Sequence, residues 1–189
     1  MVKDVFLYKV SRPIITVLFK IIFRPKIFNK HLIPKQGRVI LAGNHTSNLD
    51  CLLLISSTKR NIHFLAKKEL WYGLKKVIFA NMGLIPVDRK NKDHQALELA
   101  IECLQKDLCV GIFPEGTTEK KGQLLPFKMG CVKMANVTEA LVVPFVIKGK
   151  YGLFKKRVMI KFLAPIRIGE SLENENKRLR SLIELERGR

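Results

Sequence analysis

The stretch Val39-Ile40-Leu41-Ala42-Gly43-Asn44-His45-Thr46-Ser47-Asn48-Leu49-Asp50-Cys51-Leu52-Leu53-Leu54-Ile55-Ser56-Ser57 decides the architecture of this chain. Its first four residues are an apolar run closed by Gly43, which suits a buried strand. A second apolar run, Cys51 to Ile55, follows Ser47, Asn48 and Asp50, residue types that start helices. Between the two runs stand His45 and Asp50, separated by four residues. On one continuous helix those five steps would make roughly 1.4 turns and point the side chains apart. With His45 ending the strand and Asp50 in the first helical turn, the chain folds back and the carboxylate reaches the imidazole. A carboxylate bonded to one ring nitrogen fixes the tautomer and leaves the other nitrogen as a proton acceptor. Packing or capping by His45, and complementing of the helix dipole by Asp50, explain the same residues without any chemistry.

Reading outward from this unit, strands alternate with helices. Strands are expected at 62–66, 84–87, 108–113, 141–147 (interrupted by Pro144) and 158–162. Pro86 marks the 84–87 segment as an edge strand. Helices are expected over 68–82, which carries Trp71 and Tyr72, over 92–106, up to Ala135 after Gly130, and from about Ser171. Gly83 closes the 68–82 helix in the usual C-terminal position. His63, amid apolar neighbours, reads as structural. The pattern predicts an α/β fold, a single domain with a mixed sheet flanked by helices.

The bulk properties bound the partners. A chain of 189 residues suits one substantial core. Lys and Arg total 35 against 16 Asp and Glu, a formal net charge of +19. That calls for nucleic acid, an anionic membrane surface or a phosphorylated small molecule. Cys51, Cys103, Cys109 and Cys131 form no C-x-x-C pair and have no His at zinc spacing. They read as reduced thiols in a cytosolic setting, with no metal site.

Residues 1–30 stand apart in composition. Apolar residues from Phe6 to Ile22 are interleaved with Lys9, Arg12, Lys20 and Arg24. On a helical wheel these cations and Thr16 gather on one side, opposite a broad apolar side. Pro13 is expected to start a second helix and Pro25 to stop it. The apolar run is too short to span a bilayer and lacks the order of a secretory signal. The segment is therefore expected as N-terminal amphipathic membrane-associated helices, with packing on the domain as the other reading.

Three strand ends deliver polar residues into turns: His45 with Asp50, then Arg89, then Glu115 with Gly116. Ligands of open α/β sheets bind at such ends. Arg89 offers a planar fork suited to phosphate, or a surface ion pair. Glu115 suits a substrate hydroxyl or a helix cap, and Gly116 allows close backbone approach or a positive φ. Lys128 adds a cation that serves a phosphate or stays solvated.

Asn-His-Thr-Ser-Asn-Leu-Asp (44–50), Gly-Leu-Ile-Pro-Val-Asp-Arg (83–89), Phe-Pro-Glu-Gly-Thr (113–117) and Val-Pro-Phe (143–145) resemble, in order and spacing, the four sequence blocks of the glycerolipid acyltransferases. The pattern looks most like the 1-acyl-glycerol-3-phosphate acyltransferases and covers about residues 30 to 165. The resemblance implies an acyltransferase domain over 31–189. It makes His45 the general base and Asp50 its orienter. Arg89, Glu115, Gly116, Thr117 and Lys128 would bind the acceptor, a lysophospholipid. It implies no metal and no cofactor, with an acyl-coenzyme A or acyl-carrier-protein thioester as co-substrate. The expected product is phosphatidic acid, made on the cytoplasmic face of a membrane rich in anionic lipid by a monotopic or peripheral protein. One departure stands out: Thr118 occupies the place where many relatives have Arg. The chemistry agrees with the resemblance. An alcohol attacking a thioester needs its proton removed, imidazole with an ordinary pKa near 6.5 is suited to that, and Gly-x-Ser-x-Gly is absent.

A nucleic-acid-binding module would also use the charge, and the basic stretch from Lys148 to Arg157 contains Tyr151 and Phe154. It leaves His45, Asp50 and Glu115 unexplained. A hydrolase using the same pair on water differs only in acceptor.

Overall fold

The computed structural model describes residues 6–70, 73–88, 94–118, 122–152 and 157–188. At its centre is β2 (Val39–Gly43), every residue of which is buried. Val39 and Leu41 join one hydrophobic cluster while Ile40 and Ala42 join the other. A strand apolar at every position is what burial on both faces of a sheet demands. Parallel neighbours flank it, β5 (Cys109–Ile112) on one side and β6 (Leu141–Lys148) on the other. Beyond β5 lie β3 (Ile62–Lys67) and the edge strand β4 (Ile85–Val87), both parallel. Beyond β6, β7 (Met159–Phe162) runs antiparallel, and β1 (Lys26–Phe28) closes that edge parallel to β7. The seven-stranded order is β1-β7-β6-β2-β5-β3-β4, a mixed sheet as expected.

Helices cover both faces. On one, α1 (Phe6–Phe23) and α2 (Asp50–Ser57) pack together, and Tyr8, Phe19, Leu53 and Leu54 meet Val39, Leu41 and Phe145. On the other, α4 (His94–Gln105), α5 (Gly130–Thr138) and α6 (Leu172–Gly188) place Ala100, Met134 and Leu179 against Ile40, Val110 and Val142. No helix among the described residues is long and apolar enough to cross a membrane.

Several boundaries differ from the sequence reading. Pro13 lies inside α1 rather than starting a second helix. It removes one i→i−4 bond, but Tyr8 and Phe19 anchor the turns on both sides in the core. Within residues 6–30, the described part of that segment, α1 and the strand β1 belong to the same packed body. The expected helix over 68–82 divides into a 3₁₀ turn at Lys68–Leu70 and α3 (Gly73–Asn81), while Trp71 and Tyr72 lie outside the described residues. Gly83 does close α3, at φ +70°. Pro144 does not interrupt β6. The polar backbone atoms of Val142 and Pro144 face the segment that follows β7, where Val142 pairs with Ile166 and the Pro144 carbonyl accepts from Leu163 N at 2.8 Å. The missing N–H falls where the neighbouring chain turns aside between those residues, so no ladder bond is lost.

Candidate active site

The C-terminal ends of β2, β5 and β6 converge on the loop that leaves β2. Gly43 makes this possible: a Cβ there would overlap the Phe145 ring and carbonyl on β6. Asn44, fully buried, then bonds like one more strand residue. Its amide donates to Ile147 O at 2.9 Å and accepts from Ile147 N at 2.8 Å. With both ends of that side chain paired, the loop has a fixed origin.

Asp50, the first residue of α2 and fully buried, is the hub of the site. Its Oδ2 accepts from His45 Nδ1 at 2.9 Å, Thr46 N at 2.6 Å and Ser47 N at 2.9 Å. Its Oδ1 accepts from Thr46 Oγ1 at 3.1 Å and the Tyr151 hydroxyl at 2.5 Å. The sequence suggested Ser47, Asn48 and Asp50 as helix-starting residues. In the fold Leu49 is the N-cap, and Asp50 instead reaches back over the loop. Because an ionised carboxylate only accepts, Nδ1 carries the imidazole proton and Nε2 keeps its lone pair. Phe113, just past β5, stacks on the imidazole with centroids 4.0 Å apart and planes 16° from parallel. The ring is held at an edge and on a face, with 13% of the side chain exposed.

Cys51 stands next to the dyad, yet burial and then the Asp50 charge push its thiol up to about 12, which makes it a poor nucleophile. Burial and the same carboxylate raise the Tyr151 phenol well above its usual range, so it remains a donor at working pH.

Glu115 is buried with both oxygens committed. Oε1 accepts from His45 N at 2.9 Å and Oε2 from Leu125 N at 2.8 Å. It neither caps a helix nor presents a free oxygen. It ties the histidine's backbone to the segment that leads into α5. Gly116 follows at φ +72°, and a Cβ there would overlap the Lys128 Cε and Nζ. Lys128, exposed, also donates its backbone N–H to Pro114 O at 2.9 Å, so its ammonium lies along the Glu115–Gly116 turn. Thr117 is half-buried in that turn, and Arg89 lies outside the described residues. His45, Asp50, Glu115, Gly116 and Lys128 are thus brought together. Sequence reasoning missed the roles of Asn44, Phe113 and Tyr151. Asn44 lies within a quoted block and Phe113 at a predicted strand end; Tyr151 carries no local signal.

These features define a class of site: a histidine ring bonded through Nδ1 to a buried carboxylate, at the carboxyl edge of a largely parallel sheet. The family model described as Acyltransferase matches residues 24–148. The chain belongs to the Acyltransferase family. A 1-acyl-sn-glycerol-3-phosphate acyltransferase of Cocos nucifera is 32% identical over 142 residues, covering 69% of this chain and 46% of that protein. One from Borreliella burgdorferi is 33% identical over 134 residues, covering 67% and 52%. This chain spans about half the length of the curated relatives it matches. The crystal structure of the 1-acyl-sn-glycerophosphate (LPA) acyltransferase PlsC from Thermotoga maritima shares the fold, with a TM-score of 0.75 and 23% identity, over 96% of this chain and 77% of that one.

Proposed function

We propose that this protein transfers a fatty acyl group from a thioester to the free hydroxyl of 1-acyl-glycerol-3-phosphate, forming phosphatidic acid for phospholipid synthesis. The observation that carries the reading is the His45 Nδ1–Asp50 contact at 2.9 Å, with the carboxylate fully buried. The acceptor hydroxyl donates to Nε2. As its oxygen attacks the thioester carbonyl carbon, the proton passes to Nε2, and Asp50 stabilises the imidazolium. The tetrahedral intermediate expels the thiolate, which takes that proton back. The net products are an ester and a free thiol, with no covalent enzyme intermediate. The donor is the thioester of coenzyme A or of acyl carrier protein.

Lys128, with its ammonium along the Gly116 turn, is the cation for the acceptor's phosphate, and Arg89 and Thr117 complete its binding. Lys128 supplies near that turn the charge that Thr118 does not. Glu115 acts on the acceptor indirectly, through the loop it holds. Support for membrane seating comes from α1. Leu7, Val10, Ile14, Val17, Leu18, Ile21 and Ile22 all face outward, with Lys9 and Lys20 beside them on the wheel. Such a helix suits the interface of an anionic membrane, as a monotopic or peripheral seat on the cytoplasmic face.

The test is an assay of the purified protein with labelled acyl thioester, with and without lysophosphatidic acid. Labelled phosphatidic acid that requires the acceptor is the expected result. Release of free fatty acid regardless of acceptor would make the protein a hydrolase, and no turnover with either donor would overturn the reading.

A further inference from the structure

Tyr151 lies 101 residues from Asp50 in sequence and yet donates the shortest of the five hydrogen bonds to its carboxylate, at 2.5 Å. The chain arrives there through a fixed turn. Gly149, at φ +84°, follows β6, and a Cβ at that position would overlap the Arg157 carbonyl. The Tyr151 ring then rests edge-on against two rings of α1, Phe19 at 6.2 Å and Phe23 at 5.7 Å between centroids. Phe19 is itself part of the core. The phenol is therefore aimed at Asp50 by an aromatic seat that belongs to α1.

We infer that Tyr151 is a positioning residue for the acyl transfer, locking the Asp50 carboxylate against His45 and tying the placement of α1 to the geometry of the dyad. The role rests on the acyl-transfer reading. His45, Thr46 and Ser47 all bond Oδ2, while among the described residues Oδ1 is held by the two hydroxyls of Thr46 and Tyr151. Without the phenol, Oδ1 would keep one weak bond of 3.1 Å and the carboxylate would be steadied mainly through Oδ2, against a smaller barrier to rotation. The phenol also draws charge from a carboxylate that faces the imidazole. Among the described residues, the titratable groups of the site are Asp50, Glu115 (bonded to His45 N), Cys51 and Tyr151, with the Lys128 ammonium along the Gly116 turn. Cys51 and Tyr151 both stay protonated. Removing the phenol would concentrate negative charge on Asp50, so the imidazolium would be favoured and the base lost at higher pH.

Two variants separate the hydroxyl from its seat. Tyr151→Phe keeps the ring contacts and removes the donor; Phe23→Leu keeps the donor and loosens the seat. For Tyr151→Phe, kcat should fall about 10-fold, the scale of one hydrogen bond to a charged group, with KM for the acceptor within about twofold. The acid limb of the kcat–pH profile should move upward, on the order of half a pH unit. Phe23→Leu should lower kcat in the same direction by a smaller factor. A Tyr151→Phe enzyme that melts like its parent and keeps its kcat overturns the inference, as does a reduced kcat with an unmoved acid limb. Unchanged kcat in Phe23→Leu overturns the tie to α1. NMR titration of the His45 ring signal, identified by its loss in His45→Gln, needs no turnover. An upward move in Tyr151→Phe supports the inference even if acyl transfer itself were not observed; no move contradicts it.

Discussion

The two long terminal helices of this protein lie on opposite faces of one sheet and have nearly the same length, 18 residues for α1 and 17 for α6. Both bury two side chains deeply: Tyr8 and Phe19 on α1, Leu179 and Ile183 on α6. Their outer faces differ. On α6 the outward positions are mostly charged or polar, Leu185 excepted, and several charges pair, Arg180 with Glu184 at 2.9 Å and Arg178 with Glu175 at 3.1 Å, while Glu186 reaches Lys161 at 2.7 Å. On α1 seven outward aliphatic residues are between 36 and 64% exposed. Burial in the core therefore does not tell the two helices apart; the medium each outer face suits does. Of the two, α1 is the one that packs on α2, whose first residue is Asp50, and it touches Tyr151 through Phe19 and Phe23. The helix with the apolar outer face and the helix that begins at Asp50 pack on the same face of the sheet.

The comparison breaks most sharply through the outer face of α1. Ile14→Asp with Ile21→Asp should weaken partition onto vesicles about 100-fold or more, since burying each isoleucine is worth up to roughly 1.5–3 kcal/mol. Melting should hardly change, because both side chains already face outward. Flotation assays check this, and Leu185→Asp on the outer face of α6 is the control expected to have no effect. Deleting α1 would be a poor substitute, since Tyr8 and Phe19 would leave the core with it. Next in size, Leu179→Ala on the inner face of α6 should cost about 2–5 kcal/mol in denaturant unfolding without altering vesicle partition of the folded protein. Lys20→Gln should weaken binding to anionic vesicles by about 1 kcal/mol, roughly fivefold, and binding to neutral ones little. High salt should erase that difference. Smallest of all, Glu184→Gln breaks an exposed pair on α6 and should cost no more than about 0.5 kcal/mol.

Much of this was legible in the sequence because it is local. Strand β2, the return of Asp50 to His45 across four intervening residues, the edge position of β4 and the structural role of His63 all follow from neighbours in the chain. His63 is buried with Nδ1 2.9 Å from Gly83 O. What stayed hidden depends on distant backbone. The bonds that fix Glu115 could not be read, because its two partners are main-chain N–H groups at 45 and 125, which carry no residue signature. Strand β1 is three residues long, follows Pro25 and exposes its first and last side chains, so no apolar alternation marks it. The wheel of α1 showed a cationic side and an apolar side but not which arc meets the protein. In the fold Arg12 turns inward to donate to Thr58 O at 3.1 Å, and the apolar side divides into a buried arc and an outward one. Tyr151 is the extreme case, a residue whose role exists only once β6, α1 and α2 are assembled.

The central claim is that His45, oriented by Asp50, removes the proton from the attacking hydroxyl. The most direct measurement is the rate of acyl transfer from a labelled thioester to lysophosphatidic acid by His45→Ala, with circular dichroism and melting to show that the variant is folded. Loss of the base should lower turnover by about 10²–10⁴-fold or more, with Asp50→Asn reduced severely but less. A folded His45→Ala protein that turns over at a rate near that of its parent would contradict the account.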